Sequence, residues 1–322
     1  MGLDGGAPVN DIALVFPGQG SQKPGMGIDL VAAHPVAAEV FRAADAALGF
    51  SLSSLCFEGP ADTLMQTNYA QPALLTHGVA VWRVLSERLG ARVRCAAGHS
   101  LGEFTAHVAA GTLDFETAVR LVHTRGELML AAGAERPGAM AAILGELATT
   151  IEAVCEQATL EAGIVVPANF NSPGQVVISG DVAGVERAME LAKLAGARKC
   201  MRLSVSGAFH SPLMAAARDG WNSALGAVSM HDAQIPVYAN VTAAPVVTAE
   251  ASRALLGDQI AAPVQWTESI RRIEHDFPGI TYIELGPGHV LGGLIRKIIP
   301  TATVLPAGTA ANLDAILNLQ AA

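Results

Sequence analysis

The chain has 322 residues, 51% of them hydrophobic and 15% charged, with a formal net charge of -9. Such a composition supports a large buried core and excludes long disordered tails, and the length exceeds that of a usual single domain. An acidic balance with no long Lys/Arg run argues against nucleic acid as a partner.

Met1–Asn10 carries no basic stretch followed by an apolar one, so no secretory signal is expected. No run approaches the roughly 18 consecutive apolar residues of a membrane-spanning helix, and no membrane is expected as a partner. Cys56, Cys95, Cys155 and Cys200 are far apart and form no C-x-x-C pair, so they are expected to be reduced, buried residues of a cytoplasmic protein.

An apolar run at Asp11–Phe16 predicts a strand, ending in the glycine-rich loop Pro17-Gly18-Gln19-Gly20-Ser21-Gln22. A loop at the carboxyl end of a strand is where open α/β sheets place ligands. Helical patterns follow at Pro35–Leu48 and Pro72–Leu89, then a short strand at Arg92–Ala97 and a helix-rich stretch over Glu103–Ala110. Asp114–Ala132 predicts a further helix. This alternation predicts a parallel sheet covered by helices.

From about Gly133 to Ser206 the order becomes strand (Ala139–Leu144), helix (Ala148–Ala162), strand (Ile164–Phe170), strand (Gln175–Ser179), helix (Val182–Leu194), strand (Lys199–Val205). That β-α-β-β-α-β order matches the ferredoxin-like pattern, a self-sufficient unit suited to insertion. The other reading is that these elements extend the main sheet. The α/β alternation then resumes, with strands expected at Ile235–Ala239, Thr281–Leu285 and Thr303–Pro306. The expected division is a discontinuous large α/β domain over residues 1–132 and 207–322, with a small subdomain over 133–206.

Gly98-His99-Ser100-Leu101-Gly102-Glu103 is a G-x-S-x-G sequence placed between a strand and a helix. In a nucleophile elbow of this kind the serine hydroxyl is exposed at a helix N-terminus, whose unpaired N–H groups suit a developing oxyanion. The same pattern also fits a capped turn. Serine chemistry needs a base, and of the nine histidines two follow predicted strands at suitable places: His210, after Ser206-Gly207-Ala208-Phe209, and His289 in Gly286-Pro287-Gly288-His289. Position alone does not separate them. His99 adjoins the serine and is expected to line the pocket, while His34, His77, His107, His123, His231 and His275 are expected to be structural or solvated.

Arg125 lies on the predicted helix after the elbow, among apolar neighbours. It is either an inward-facing residue or an ordinary surface arginine. An inward guanidinium holding a carboxylate by two hydrogen bonds is worth about 1.5–3 kcal/mol. That favours a carboxylated acyl group over a neutral one by roughly ten- to a hundredfold.

Together these segments resemble the malonyl-CoA:acyl carrier protein transacylases of bacterial fatty-acid synthesis and the related acyltransferase domains of polyketide synthases. The resemblance spans nearly the whole chain. It rests on Phe16–Gln22, Gly98–Glu103, Arg125, Asn169–Gln175, Gly207–Met214, Pro263–Trp266 and Glu284–Gly288.

The resemblance implies an α/β-hydrolase-like large domain with the inserted ferredoxin-like unit. It implies Ser100 as nucleophile and His210 as base, the histidine being oriented by a main-chain carbonyl at Gln259. It further implies backbone N–H groups of Gln19 and Leu101 as the oxyanion hole, and Arg125 as partner of the malonyl carboxylate. His99, Asn169 and Phe209 are the remaining substrate-site expectations, with Phe209 matching a form of the motif associated with malonyl over methylmalonyl selection.

The implied reaction is ping-pong transfer of malonyl from malonyl-CoA to acyl carrier protein, by a monomer, with no metal and no cofactor, coenzyme A being part of a substrate. A carrier protein is usually acidic, so docking on a chain of this charge needs a local basic surface. Lys199, Arg202, Arg272, Arg296 and Lys297 are the candidates. The rival readings are a serine esterase or thioesterase using a late histidine such as His289, a non-catalytic acyl-CoA-binding protein, and a transacylase serving malonate decarboxylase or a polyketide assembly line. A chain without flanking domains favours fatty-acid synthesis.

Overall fold

The apolar runs become strands in the computed structural model, which describes residues 11–319. In chain order these are β1 (Ile12–Phe16), β2 (Val93–Gly98), β3 (Gly138–Leu144), β4 (Val165–Ser172) and β5 (Gln175–Asp181). They continue with β6 (Lys199–Arg202), β7 (Val237–Tyr238), β8 (Pro245–Val246), β9 (Thr281–Glu284) and β10 (Thr303–Pro306). The fold is mixed α/β, with a six-stranded sheet in the order β10-β9-β1-β2-β7-β8 and a separate four-stranded sheet in the order β4-β5-β3-β6. The first is parallel except where β8 runs against β7, and the second is antiparallel throughout.

Period-two alternation explains both sheets. In β1, Ile12, Leu14 and Phe16 join the largest core while Ala13 and Val15 join a second core on the opposite face, so the strand reads as continuously apolar. In β3, Ala139, Ala141 and Ile143 pack with the helices Ile151–Ala162 and Val182–Leu194, whereas Met140 and Ala142 face the main core. The second sheet therefore forms one wall of the space above the first. Its outer strand β4 is covered: Phe170 N–H donates to Val264 O and Val264 N–H to Ala168 O, each at 2.9 Å.

Most expected elements appear within a few residues of their predicted bounds, and Pro35–Leu48, Val182–Leu194 and Thr303–Pro306 match them. The helix expected to start at Pro72 starts at Thr67, so Pro72 sits inside it. A proline there leaves the carbonyl four residues earlier, that of Asn68, without its helical donor. His123 of the neighbouring helix supplies one, with Nδ1 at 2.7 Å from Asn68 O. The early start matters because it carries Thr67 and Gln71 into the site.

β6 ends at Arg202, not Val205, because after Leu203 N–H bonds to Met140 O the chain leaves the sheet. Cys56, Cys95 and Cys155 are buried as expected and burial pushes each thiol up to about 12; Cys200 is only partly covered. No helix among the described residues is long and apolar enough to cross a membrane. Met1–Asn10, where no secretory signal is expected, lies outside the described residues, as does the final stretch 320–322.

Candidate active site

The carboxyl ends of β1, β2 and β7 converge on Ser100. At the end of β2 the chain must turn within two residues into the Leu101–Ala109 helix, and only glycine fits on either side. A Cβ on Gly98 would stand 1.9 Å from the Gly102 carbonyl carbon, and one on Gly102 would stand 2.0 Å from Phe16 O. Ser100 takes φ 51 and ψ -107, a conformation costly for a residue with a side chain. The G-x-S-x-G sequence is thus an elbow and not a capped turn: the Ser100 side chain makes no cap bond to its own helix.

The Ser100 hydroxyl lies 2.7 Å from Nε2 of His210. The other ring nitrogen, Nδ1, faces two main-chain carbonyls, Gln259 O at 3.0 Å and Ala262 O at 3.1 Å. Two acceptors fix the proton on Nδ1 and leave Nε2 free to accept from the hydroxyl. Burial, with the nearby Arg125 charge, pushes the His210 pKa down to about 3, so the ring is neutral at physiological pH. His210 itself adopts φ 56. Ser211 steadies the turn that presents it, with its hydroxyl donating to Ala208 O at 2.6 Å.

His289 takes no part in this arrangement. It is exposed at the start of the Val290–Ile298 helix and is not among the residues lining the cavity around Ser100.

Arg125 is the inward-facing residue, 1% exposed. Its Nη1 donates to Gln71 Oε1 at 2.7 Å, and its Nη2 to Gln259 Oε1 at 2.9 Å and to the Ser100 hydroxyl at 3.3 Å. The guanidinium carbon stands 5.4 Å from the Phe104 ring centre. Burial lowers its pKa to about 10 and the charge of Glu103 opposes that shift, so the side chain remains a cation. Glu103 is fully buried in the first helical turn, and desolvation raises its pKa to about 7 against the hydrogen bonds from Gln259 and Asn240.

A cavity of about 300 Å³ opens over the hydroxyl, lined by Gln19, His99, Leu101, Arg125, Asn169, Phe209 and His210 together with Gln71, Met129 and Met140. All nine residues expected at the site are accounted for: eight line the cavity with Ser100 among them, and Gln259 reaches it through Ser100 and His210. His99 is tethered by Nε2 to Asn171 Oδ1 at 2.7 Å. A roomier groove lined by Asp11, Arg92 and Phe277–Ile280 lies at the opposite, amino ends of β1 and β9, away from this chemistry. No three His, Cys, Asp or Glu side chains among the described residues are placed to hold a metal ion.

Gln71, Thr67 and Asn240 carry no motif and were not expected here. Thr67 Oγ1 donates to Gln19 Oε1 at 2.9 Å and accepts from Gln71 Nε2 at 2.9 Å, so a polar chain runs from the buried Arg125 out to the exposed Gln19. Nothing in the sequence marks Thr67 and Gln71, because the Thr67–Leu89 helix carries other polar residues; the structure shows that each is 1% exposed.

Of the basic residues expected to offer a docking surface, Arg202 pairs with Glu186 at 3.0 Å and Arg272 with Asp276 at 2.9 Å. Arg296 donates to Val304 O at 3.0 Å and Lys297 to Gln175 Oε1 at 3.1 Å. Lys199 is exposed on the outer strand of the smaller sheet.

The family model described as acyl transferase domain matches residues 13–304. A malonyl CoA-acyl carrier protein transacylase of Escherichia coli strain K12 is 43% identical over 312 residues, covering 97% of this chain and all of the relative. The Bacillus subtilis strain 168 protein of the same name is 47% identical over 292 residues, covering 90% and 91%. A solved malonyl-transacylase in complex with its type II PKS acyl-carrier protein superposes with a TM-score of 0.92 at 42% identity, over 96% of this chain and 99% of that one.

Proposed function

The chain belongs to the acyl transferase domain family, and on that premise we propose that it transfers malonyl from malonyl-CoA to the phosphopantetheine thiol of an acyl carrier protein, through an ester on Ser100. The observation that carries this reading is the meeting at one hydroxyl of a neutral histidine 2.7 Å away and a buried guanidinium 3.3 Å away. The first activates a serine. The second selects an acyl group that carries its own negative charge.

Ser100 Oγ attacks the thioester carbonyl while its proton passes to His210 Nε2. The oxyanion that forms is held by the N–H groups of Gln19 and Leu101, and a single such donor is worth about a hundred- to a thousandfold in rate. Collapse breaks the C–S bond, and the imidazolium returns the proton to the departing coenzyme A sulfur. In the second half the carrier thiol gives its proton to His210 and attacks the ester, and Ser100 leaves with that proton. The resulting kinetics are ping-pong, with no metal or redox cofactor.

Arg125 fixes the malonyl carboxylate, His99 and Asn169 line its approach, and Phe209 crowds any α-substituent. The serine esterase reading needs a late histidine such as His289 as base, and the exposed position of that residue, away from the cavity around Ser100, speaks against it. The chain acts as a monomer in the cytoplasm and supplies fatty-acid synthesis. We assign residues 1–132 and 207–322 to an α/β-hydrolase-like catalytic domain. Residues 133–206 form a ferredoxin-like unit, an assignment supported by the β4-β5-β3-β6 order.

Incubation with malonyl-CoA or acetyl-CoA, followed by intact mass and peptide mapping, tests this. A malonyl mass on Ser100, lost on adding holo carrier protein, is expected. Absence of that adduct, or equal labelling by both donors, overturns the reading.

A further inference from the structure

Both main-chain polar groups of Ser100 are held by side chains from the far half of the sequence. Asn240, wholly buried just beyond β7, accepts the Ser100 N–H on Oδ1 at 2.7 Å and donates from Nδ2 to Gly98 O at 2.6 Å. Gln259 donates from Nε2 to Ser100 O at 3.0 Å. The two clamps are themselves joined: Glu103 Oε2 accepts from Gln259 Nε2 at 2.6 Å and from the Asn240 N–H at 3.1 Å. The Asn240 carbonyl accepts the Gln265 N–H at 2.8 Å, which fixes the asparagine from its other side.

A serine at φ 51, ψ -107 persists only where its surroundings over-determine it. The clamp also occupies the Ser100 N–H, which therefore cannot serve the oxyanion. The Leu101 N–H, in the first helical position and so without an intrahelical acceptor, is left for that task.

We propose that Asn240 is a positioning residue for the nucleophile: its amide, joined to Gln259 through Glu103, holds the strained Ser100 peptide so that Oγ stays in line with His210 in both half reactions. The inference rests on Ser100 as the acyl-bearing residue and adds a group that touches neither substrate nor the reacting atoms. Since Oγ is nucleophile in the first half and leaving group in the second, loss of the clamp slows both. The cavity walls are untouched, so binding of the acyl donor changes little.

Asn240→Ala and Asn240→Asp test this against the wild type. The aspartate keeps the acceptor for Ser100 N–H and sets an oxygen against Gly98 O. A misplacement of about 1 Å at a reacting group costs on the order of a hundredfold, so Asn240→Ala is expected to lose about that factor in kcat with KM for malonyl-CoA within about threefold. Asn240→Asp is expected to lose roughly tenfold and carries the decision if the alanine variant does not fold.

Phenylmethanesulfonyl fluoride supplies a second readout, because its rate of labelling Ser100, followed by intact mass, does not depend on the natural acyl donor. It should slow in parallel. Either variant, folded by circular dichroism and reacting within twofold of wild type in both assays, overturns the proposal. A wild-type protein that refuses malonyl-CoA, while its sulfonylation still outpaces that of Asn240→Ala, overturns the proposed function and leaves this inference standing.

Discussion

The main-chain carbonyl of Gln259 stands 3.0 Å from Nδ1 of His210, the position in which many serine enzymes hold a carboxylate. A carbonyl orients the ring as well as a carboxylate does and carries no full negative charge to stabilise the imidazolium. Burial, and after it the Arg125 charge, hold the histidine down at about 3.

Acylation should therefore show no acid limb near pH 6.5, where a free histidine would protonate. The stability effect has a definite sign. A histidine depressed in the folded state binds its proton only after unfolding, so its contribution is intact above pH 6.5 and is lost as pH falls toward 3. His107, held at about 3 by burial, adds to the same trend, whereas Glu103, raised to about 7, opposes it between its unfolded value and pH 7. A rate–pH profile of Ser100 malonylation, run beside circular dichroism, is expected to stay flat until the protein itself unfolds. A titration near pH 6.5 in a fully folded sample would contradict the neutral-base assignment.

Arg125→Ala should separate acyl groups. The charge-assisted contact to the carboxylate is worth about 1.5–3 kcal/mol, so malonyl transfer is expected to fall roughly ten- to a hundredfold. Acetyl transfer should fall far less. Arg125→Lys keeps the charge without the planar fork and should recover only part of the discrimination. Parallel losses for malonyl-CoA and acetyl-CoA would remove the carboxylate role.

The elbow and the base candidates were visible in the sequence as local signals, glycines at fixed offsets and a histidine after a strand, whereas Arg125 stood out only as a cation among apolar residues and its inward facing needed the fold. The choice between His210 and His289 was not legible from position, since both follow strands, and the resemblance had to supply it. Asn240 was invisible for a different reason. It follows a two-residue strand, and its partners Gly98, Ser100 and Glu103 lie more than 130 residues away in sequence. Gln71 was hidden behind Pro72, which reads as a helix start and is instead accommodated within the helix by His123.

Phe209→Ser should widen acyl-group tolerance. The Phe209 ring is 6% exposed on the wall of the cavity, close enough to Gly207 that a Cβ there would meet the ring at 3.2 Å. A wall this confined leaves an α-methyl group little space. One methyl in an apolar pocket is worth about 1–3 kcal/mol, so the ratio of methylmalonyl to malonyl kcat/KM is expected to rise by roughly tenfold or more. An unchanged ratio with both rates reduced would assign the ring to packing alone.

Charge reversal on β6 addresses the second substrate. Lys199 and Arg202 occupy the edge strand that runs directly into Leu203, Ser204 and Val205, three residues of the cavity wall, so an acidic carrier seated there would deliver its pantetheine arm toward Ser100. Arg202 already pairs with Glu186 at the surface, an exposed pair worth at most about 1 kcal/mol, which leaves its charge available to a partner. The double variant Lys199→Glu, Arg202→Glu is expected to malonylate Ser100 at the wild-type rate. Transfer from the preformed malonyl enzyme to carrier protein should slow several-fold at low ionic strength, with the difference shrinking as salt screens the surface. Single-turnover transfer at wild-type speed in low salt would move the docking surface elsewhere.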